Sequence, residues 1–539
     1  MKIAAVLSML HEPAGRPNSA TRRFRGEAPL AWTLWRLGRC GRIAESAVIC
    51  WQDQSEAAAP IAEQMKARCL PPGQRCPLAH LDGVSAARRW AEGWRGGLLE
   101  TCEFDRGFHG PRAKEVLDES HADAILLVDP SAGLVDPDLI DALVEHAEAH
   151  PEVDICFSPA APGLCGVLLR KPLVEQLAAG GSHPGALLAY RPDLPMRDPI
   201  SAPSCAPVPT GLARTVHRFT LDSQRQIDRI TGATVHLDGQ LISTEAEQLL
   251  HLLDAAPAAW TLPRELVLEL TVRRASRPIF SPVSHVKIER ADLAIDIAKT
   301  VFAEMAAADD TRIVLAGIGD PLLHPQFQAI VQCAHDVGIG AIAVESDLLG
   351  MDAEQIDRLA DLPLDVISVN LPAISGKTYQ TMMGIDGFKQ AMDNVVRLVH
   401  RRQSRARGTP LIVPTFVKTA ASVAEMEAWY DHWLRCLGCA VIAAGGDFAG
   451  QVPDVSLVAM EPPRRRSCVR IGGRITVLSD GQVVACEQDF LARQALGRIG
   501  KDCIESIWTG GMAALRRDHA DGHWTRQALC RACKDWHRP

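Results

Sequence analysis

The sequence predicts a multidomain α/β protein with an N-terminal α/β sheet, a run of six strand–helix units and a small cysteine-stapled tail. Three observations predict this. Apolar strand-like runs alternate with helical segments through most of the chain, the texture of the sequence changes near residues 245 and 460, and the tail carries two cysteine pairs. At 539 residues the chain exceeds one ordinary core, and domains of roughly 100 to 200 residues imply about three. The expected boundaries are 1–245, 246–460 and 461–539.

The first stretch opens with an apolar run, KIAAVL, followed by a loop rich in Gly, Pro and Arg, a helix around LAWTLWRLGRC and a buried-type strand, ADAILLVD, that ends at Asp129. This alternation implies a mostly parallel sheet. The opening MKIAAVLSML pairs Lys2 with a short apolar stretch but has no small-x-small cleavage site, and it is read as a first strand rather than a signal peptide. In the second stretch the runs ELVLELT, RIVLAG, AIAVES, LDVISVN, PLIVPTFV and AVIAAG are separated by helical segments such as LAIDIAKTVFAEMAA and FQAIVQCAHDVG. Six such units suit an open (β/α)6 barrel or a doubly wound sheet. From about residue 460, short strands, turns and cysteines suggest a metal-stapled module.

Composition narrows the function. With 47% apolar and 23% charged residues and a net charge of −8, the chain has no basic footprint for nucleic acid, and a protein or small-molecule partner is expected. No apolar run approaches the ~18 residues that span a bilayer, so a cytoplasmic location is expected. Sixteen cysteines scattered through a long chain favour reduced thiols and metal ligands over disulfides. The 18 histidines form no HExxH-type pattern. Cys436 and Cys439 form a Cys-x-x-Cys without a second pair nearby, and are read as buried or incidental thiols.

The cysteine module is the most specific feature. In CVRIGGRITVLSDGQVVAC, Asp480-Gly481 stands where a hairpin turn brings Cys468 and Cys486 together. The closing LCRACKDWHRP supplies Cys530 and Cys533, a pair spaced to face one ion or cluster. Four thiolates suit tetrahedral zinc or an iron–sulfur cluster, and spacing alone leaves both open. The run Arg464–Arg466 just before Cys468 is an exposed basic turn or a set of cations beside an anionic cluster.

The order Cys, twelve residues, Gly, four residues, Cys, then a distant Cys-x-x-Cys followed by Trp536, resembles the SPASM/twitch extension of radical SAM enzymes. CEQDF, LGRIG and SIW lie between the pairs in the order that extension shows. The resemblance implies one auxiliary 4Fe-4S cluster on Cys468, Cys486, Cys530 and Cys533, the twitch form, and a preceding partial (β/α)6 TIM-type barrel.

Such a barrel carries CxxxCxxC after its first strand, where three thiolates leave one iron open to S-adenosylmethionine. Here the loop after Glu269-Leu270-Thr271 reads VRRASRPIFSP, with Arg274, Pro278 and Ser281 at the three positions, and no cysteine occurs from 206 to 332. Downstream, VLAGIGDPLLHPQF resembles the family's methionine-binding loop through Gly317, Gly319, Asp320 and Pro321, with Asp320 in place of the usual Glu. Taken alone, GIGDP is a tight turn between strand and helix. Glu345-Ser346-Asp347 stands where the family has Thr-Asn-Gly, while Tyr379 and Gly384–Phe388 match it and Pro372 departs from it. The likeness covers about 262–539 and implies a retained fold with lost radical chemistry.

The first 245 residues resemble the cytidylyltransferase-like domains of surface-polysaccharide pathways, a nucleotide-binding sheet of the GT-A kind, through LAWTLWRL, LVDPDLI and FTLDSQRQID. That resemblance implies a nucleotide and Mg2+ site using Arg16 of the loop HEPAGRPNSATRRFRG with Asp129 and Asp222 at strand ends. The family's metal-binding acid aligns nearer Ser131, and capping or solvated aspartates are the alternative for both residues. The function expected for the whole chain is an iron–sulfur pseudoenzyme of radical SAM/SPASM type in sugar or surface-polysaccharide metabolism, with a structural, electron-transfer or partner-docking role. Two alternatives stand beside it. One is an enzyme using S-adenosylmethionine on a sugar, nucleotide-sugar or peptide, and the other is a sugar nucleotidyltransferase acting through the N-terminal domain.

Overall fold

The computed structural model describes all residues except 77, 91–104, 189–202, 238, 257–259, 459 and 539. It divides into two compact units, Met1–Ala258 and Ala259–Pro539.

The first unit is built on a six-stranded sheet of β1 (Ile3–Ser8), β2 (Ile43–Ile49), β3 (Arg68–Cys69), β4 (Ala124–Val128), β5 (Ile155–Phe157) and β6 (Val167–Arg170), in the order β3-β2-β1-β4-β6-β5. β1 is central and parallel to β2 and β4, with Ala5 opposite Ser46 and Leu126. β6 and β5 close one edge antiparallel. The parallel part is covered on both faces, which is why IAAVLS is apolar throughout instead of alternating. Ala5 and Leu7 pack on one side with Leu34 and Leu37 of helix Pro29–Leu37 and Leu143 of helix Pro137–Ala149. Ala4 and Val6 pack on the other with Val116 of helix Gly110–Ser120 and Val174 of helix Lys171–Gly180.

Helix Ala246–Ala255 also belongs to this unit, because Leu249 and Leu253 enter a third apolar cluster with Phe219, Leu221 and Ile230. The buried guanidinium of Arg36 fixes the approach to it, donating to the carbonyls of Leu241 at 2.8 Å and Thr244 at 2.7 Å.

In the second unit β7 (Glu265–Leu268), β8 (Arg312–Leu315), β9 (Ala341–Ser346), β10 (Val366–Asn370), β11 (Leu411–Lys418) and β12 (Val441–Ala444) are parallel neighbours in sequential order. All six apolar runs read from the sequence are therefore strands. The order shows no reversal of the kind a doubly wound sheet has at its switch point. Helices Ile295–Met305, Phe327–Asp336, Ala353–Asp361, Phe388–Ser404 and Met426–Leu437 lie between successive strands.

The cysteine-rich tail extends the same sheet. β13 (Arg474–Val477) pairs parallel with β7, and β14 (Gln482–Val484) and β15 (Gly497–Arg498) follow antiparallel, giving nine strands. The turn between β13 and β14 is the one expected at Asp480-Gly481. Gly481 has φ +84°, its N–H donates to the carbonyl of Leu478, and the Asp480 carboxylate accepts from the Gln482 N–H. Among the described residues no helix is long and apolar enough to cross a membrane.

Candidate iron–sulfur site and two arginine-filled sites

Cys468, Cys486, Cys530 and Cys533 line one cavity of about 110 Å³ in the second unit. Each is carried there by a different local device. Cys468 precedes the short turn Arg470–Gly472, and the N–H of Val469 beside it donates to the Trp536 carbonyl. Cys486 leaves β14 and caps the turn Glu487–Asp489. Cys530 lies in the short helix Ala528–Ala532, and Cys533 ends it by donating its N–H to the Leu529 carbonyl. The four cysteines read from the sequence thus border the same cavity. One water needs ~10–15 Å³ of such volume, so the cavity has room for a polynuclear group. Among the described residues no three His, Cys, Asp or Glu side chains are drawn together closely enough to hold a single ion.

The electrostatics suit an anionic cofactor. Burial pushes the Cys530 thiol up to about 11, with further contributions from Cys468 and Cys533. Burial likewise raises Cys533, and burial followed by Glu487 raises Cys486 well above the ordinary thiol range. Cys468 adds to the shift of all three, which sets its sulfur near each of them. Burial thus favours the protonated thiol at Cys486, Cys530 and Cys533, and loading metal must release those protons.

Cations stand ready beside them. Arg470 pairs with Glu487 at 2.7 Å, and Arg465 donates to the carbonyls of Cys530 at 2.5 Å and Cys533 at 3.3 Å while lying over the rings of Trp524 and Trp536. Of the basic run before Cys468, Arg465 is therefore the member that faces the site. The N–H of Asp535 donates to the Cys533 sulfur at 3.3 Å. The donor set, the room and the surrounding cations fit an iron–sulfur cluster.

The loop after β7, which carries Arg274, Pro278 and Ser281, is tied down by hydrogen bonds and an ion pair. Arg274 donates through Nε to Asp347 Oδ2 at 2.8 Å and through Nη2 to Oδ1. Asp347 follows β9 and also accepts from the Ser276 hydroxyl and from Asn370 Nδ2 at 3.0 Å. Burial opposes its ionisation, but the Arg274 guanidinium together with the hydrogen bonds from Ser276 and Asn370 holds the carboxyl below its usual range. Pro278 and Ser281 are buried, with the Ser281 N–H on the Pro278 carbonyl, and Arg277 and Ile279 donate their N–H groups to Met383 and Met382.

Gly317 and Gly319 pack on the β7 end. A Cβ on Gly319 would lie 2.1 Å from the Thr271 carbonyl oxygen, so only glycine fits there. Asp320 is buried and engaged within the fold. It accepts from the Leu322 N–H at 3.0 Å, the Ser346 hydroxyl at 2.9 Å and the Asp347 N–H at 3.0 Å. Burial and then Asp347 raise its carboxyl above the usual range.

In the first unit the structure does bring Asp129 and Asp222 together, through an arginine that the sequence did not single out. Arg106 Nε lies 2.7 Å from Asp129 Oδ2, and its Nη1 lies 3.4 Å from Asp222 Oδ2. Gly107 permits this, since at φ +75° a Cβ would sit 2.6 Å from the Ser8 carbonyl oxygen at the end of β1. Arg218 and Arg88 complete the ring around Asp222. Burial works against the Asp222 carboxylate, but Arg218, then Arg88 and Arg106, hold it strongly ionised. Ser131 donates its N–H to Asp129 at 2.8 Å and its hydroxyl to the same oxygen. Arg16 lies in the Gly/Arg-rich loop and is half-buried. Arg88, Arg106, Arg218 and His11, whose Nε2 is 3.6 Å from Asp129, face the aspartates.

No curated protein matches the chain in sequence. Among solved structures it is similar to BtrN in complex with AdoMet and 2-DOIA, at 16% identity and TM-score 0.34 over 50% of this chain and 92% of that one. It is similar to Streptococcus suis SuiB bound to S-adenosylmethionine at 12% identity and TM-score 0.40, over 57% and 84% of the two chains. A cytidylyltransferase from Leptospira borgpetersenii serovar Hardjo-bovis matches at 11% identity and TM-score 0.31, over 47% of this chain and 92% of that one. Residues 468–534, which hold all four cavity cysteines, match the model of SPASM, an iron–sulfur cluster-binding domain.

Proposed function

We propose that this chain is a radical SAM/SPASM-type iron–sulfur protein that holds one auxiliary 4Fe-4S cluster on Cys468, Cys486, Cys530 and Cys533 and performs no radical chemistry in its barrel. One juxtaposition carries the reading. Four cysteines surround a single cavity in the tail, while a buried Arg274–Asp347 ion pair fills the loop that would carry the second cluster. A bound cluster supplies a one-electron couple. The polypeptide supplies four sulfurs, two flanking guanidiniums and a wall that limits water.

The same reading divides the chain by role into three parts with a last boundary near 460, and takes the stretch that follows helix Ala246–Ala255, which packs in the first unit, as a partial (β/α)6 barrel serving as scaffold. The sequential parallel order of β7 to β12 supports this. Asp320 supports it too, because its carboxylate is already satisfied by three donors of the fold. In the first unit Arg106 stands between the two carboxylates a divalent ion would need. We therefore read 1–245 as a nucleotidyltransferase-like module without metal catalysis. Electron transfer or docking of a protein, sugar, nucleotide-sugar or peptide partner is the role left to such an assembly, in sugar or surface-polysaccharide metabolism.

The test is incubation of the anaerobically purified, chemically reduced protein with S-adenosylmethionine, followed by chromatography for 5'-deoxyadenosine. The reading expects none above a control without protein. Turnover that survives Asp320→Ala and disappears on loss of iron would contradict it.

A further inference from the structure

His519 lies in helix Gly511–Ala520, is 2% exposed, and lines the cavity of the four cysteines. Its Nδ1 accepts a hydrogen bond from the backbone N–H of Cys468 at 3.2 Å. That bond assigns the tautomer, because a ring nitrogen that accepts carries a lone pair and the proton of the neutral ring must sit on Nε2. Nε2–H is thus a donor, and it is buried with no hydrogen-bond partner in the polypeptide.

A buried donor left unmade is costly, and native folds rarely leave one without a reason. The ring cannot rotate to solvent without releasing Cys468, and it borders the cavity that the four cysteines share with apolar side chains such as Ile471 and Leu496 and polar ones such as Gln488 and Asp489. None of these accepts from Nε2–H, so the acceptor we assign is a group held in the cavity. A thiolate-bound iron–sulfur cluster presents sulfurs that accept hydrogen bonds, and such bonds set its potential.

We infer that His519 donates a hydrogen bond from Nε2–H to a sulfur of the cluster, while its Nδ1 anchors the amide of the ligand Cys468. His519 is a positioning residue here and ligates no iron. One ring ties the ligand loop to the cofactor and stabilises the reduced, more negative cluster. This rests on the cavity being the cluster site.

The experiment uses the full chain, prepared without oxygen as wild type, His519→Leu and His519→Gln. Iron and sulfide are counted first, and the cluster is then titrated with EPR detection. Equal iron is expected in all three. The His519→Leu cluster should be about tenfold harder to reduce, a fall of about 59 mV for one electron, and His519→Gln, which keeps an amide donor, should recover most of that fall. Reduced wild type labelled with 15N-histidine should show a nitrogen coupling to the cluster in pulsed EPR.

Unchanged potential in His519→Leu at equal iron, with no 15N coupling in wild type, overturns the inference and leaves the cluster reading standing. Wild type without iron overturns both. If His519→Leu fails to load, the 15N coupling in wild type decides alone.

Discussion

Arg274 and Asp347 form a two-point ion pair in the interior of the second unit, with side chains 7% and 1% exposed. The guanidinium sits at the first of the three positions where the barrel resemblance calls for a cysteine. A carboxylate this deep depends on its partner, and removing one member of a buried pair costs about 3–5 kcal/mol because the other charge is stranded. Arg274→Met should therefore lower stability by about that amount in urea unfolding. Arg274→Met/Asp347→Asn should recover at least half of it, since asparagine keeps an oxygen for Ser276 but strands no charge. Equal losses in the single and double variants would show that the pair acts by packing alone.

Glu12 gives the first unit a pH dependence. Burial, then Asp129, raises its carboxyl to about 7, although the Ser19 N–H donates to it at 3.1 Å. Between the ordinary glutamate value of 4.5 and about 7, the folded form holds a proton that the unfolded form has released. Stability therefore falls as pH rises through that window, by up to roughly 3 kcal/mol at about 1.4 kcal/mol per unit. Glu12→Gln should flatten the fall and raise the unfolding temperature at pH 8 while leaving pH 4 unchanged. Calorimetry across pH 4 to 8 checks this, and parallel curves for the two proteins would refute it.

The guanidinium of Arg106 occupies the space between Asp129 and Asp222. Wild type should take up no Mn2+ there by EPR, and Arg106→Ala should gain a site that Asp129→Asn abolishes again. Mn2+ at a hundredfold excess over its Kd would then stabilise the variant by about 2.7 kcal/mol and leave wild type unmoved. Mn2+ binding by wild type that is lost in Asp222→Asn would contradict the arrangement.

Much of this architecture was legible in the sequence because it is local. The six apolar runs of the second unit became β7 to β12 without exception, since buried parallel strands need little more than a short apolar run between helices. The Asp480-Gly481 turn and the spacing of the four cysteines carried the cavity site. The ion pairs made by Arg106 and Arg274 were not legible in the same way. Arg106 reaches Asp222 across 116 residues and Arg274 reaches Asp347 across 73, and nothing at either end of such a pair names its partner. His519 was missed for the same reason, because its meaning comes from the N–H of Cys468, 51 residues away. The continuation of the β7 sheet into β13 was equally hidden, since strand pairing between distant segments leaves no mark in either one.

The most direct measurement is iron, sulfide and zinc per chain on protein purified without oxygen, with the Cys530→Ala/Cys533→Ala variant alongside. One 4Fe-4S cluster on the four cavity cysteines, and none in the barrel, requires about four irons and four sulfides per chain, lost in the variant. About eight irons would place a second cluster in the chain and contradict a barrel closed by Arg274 and Asp347, and one zinc without iron would make the tail a structural clip.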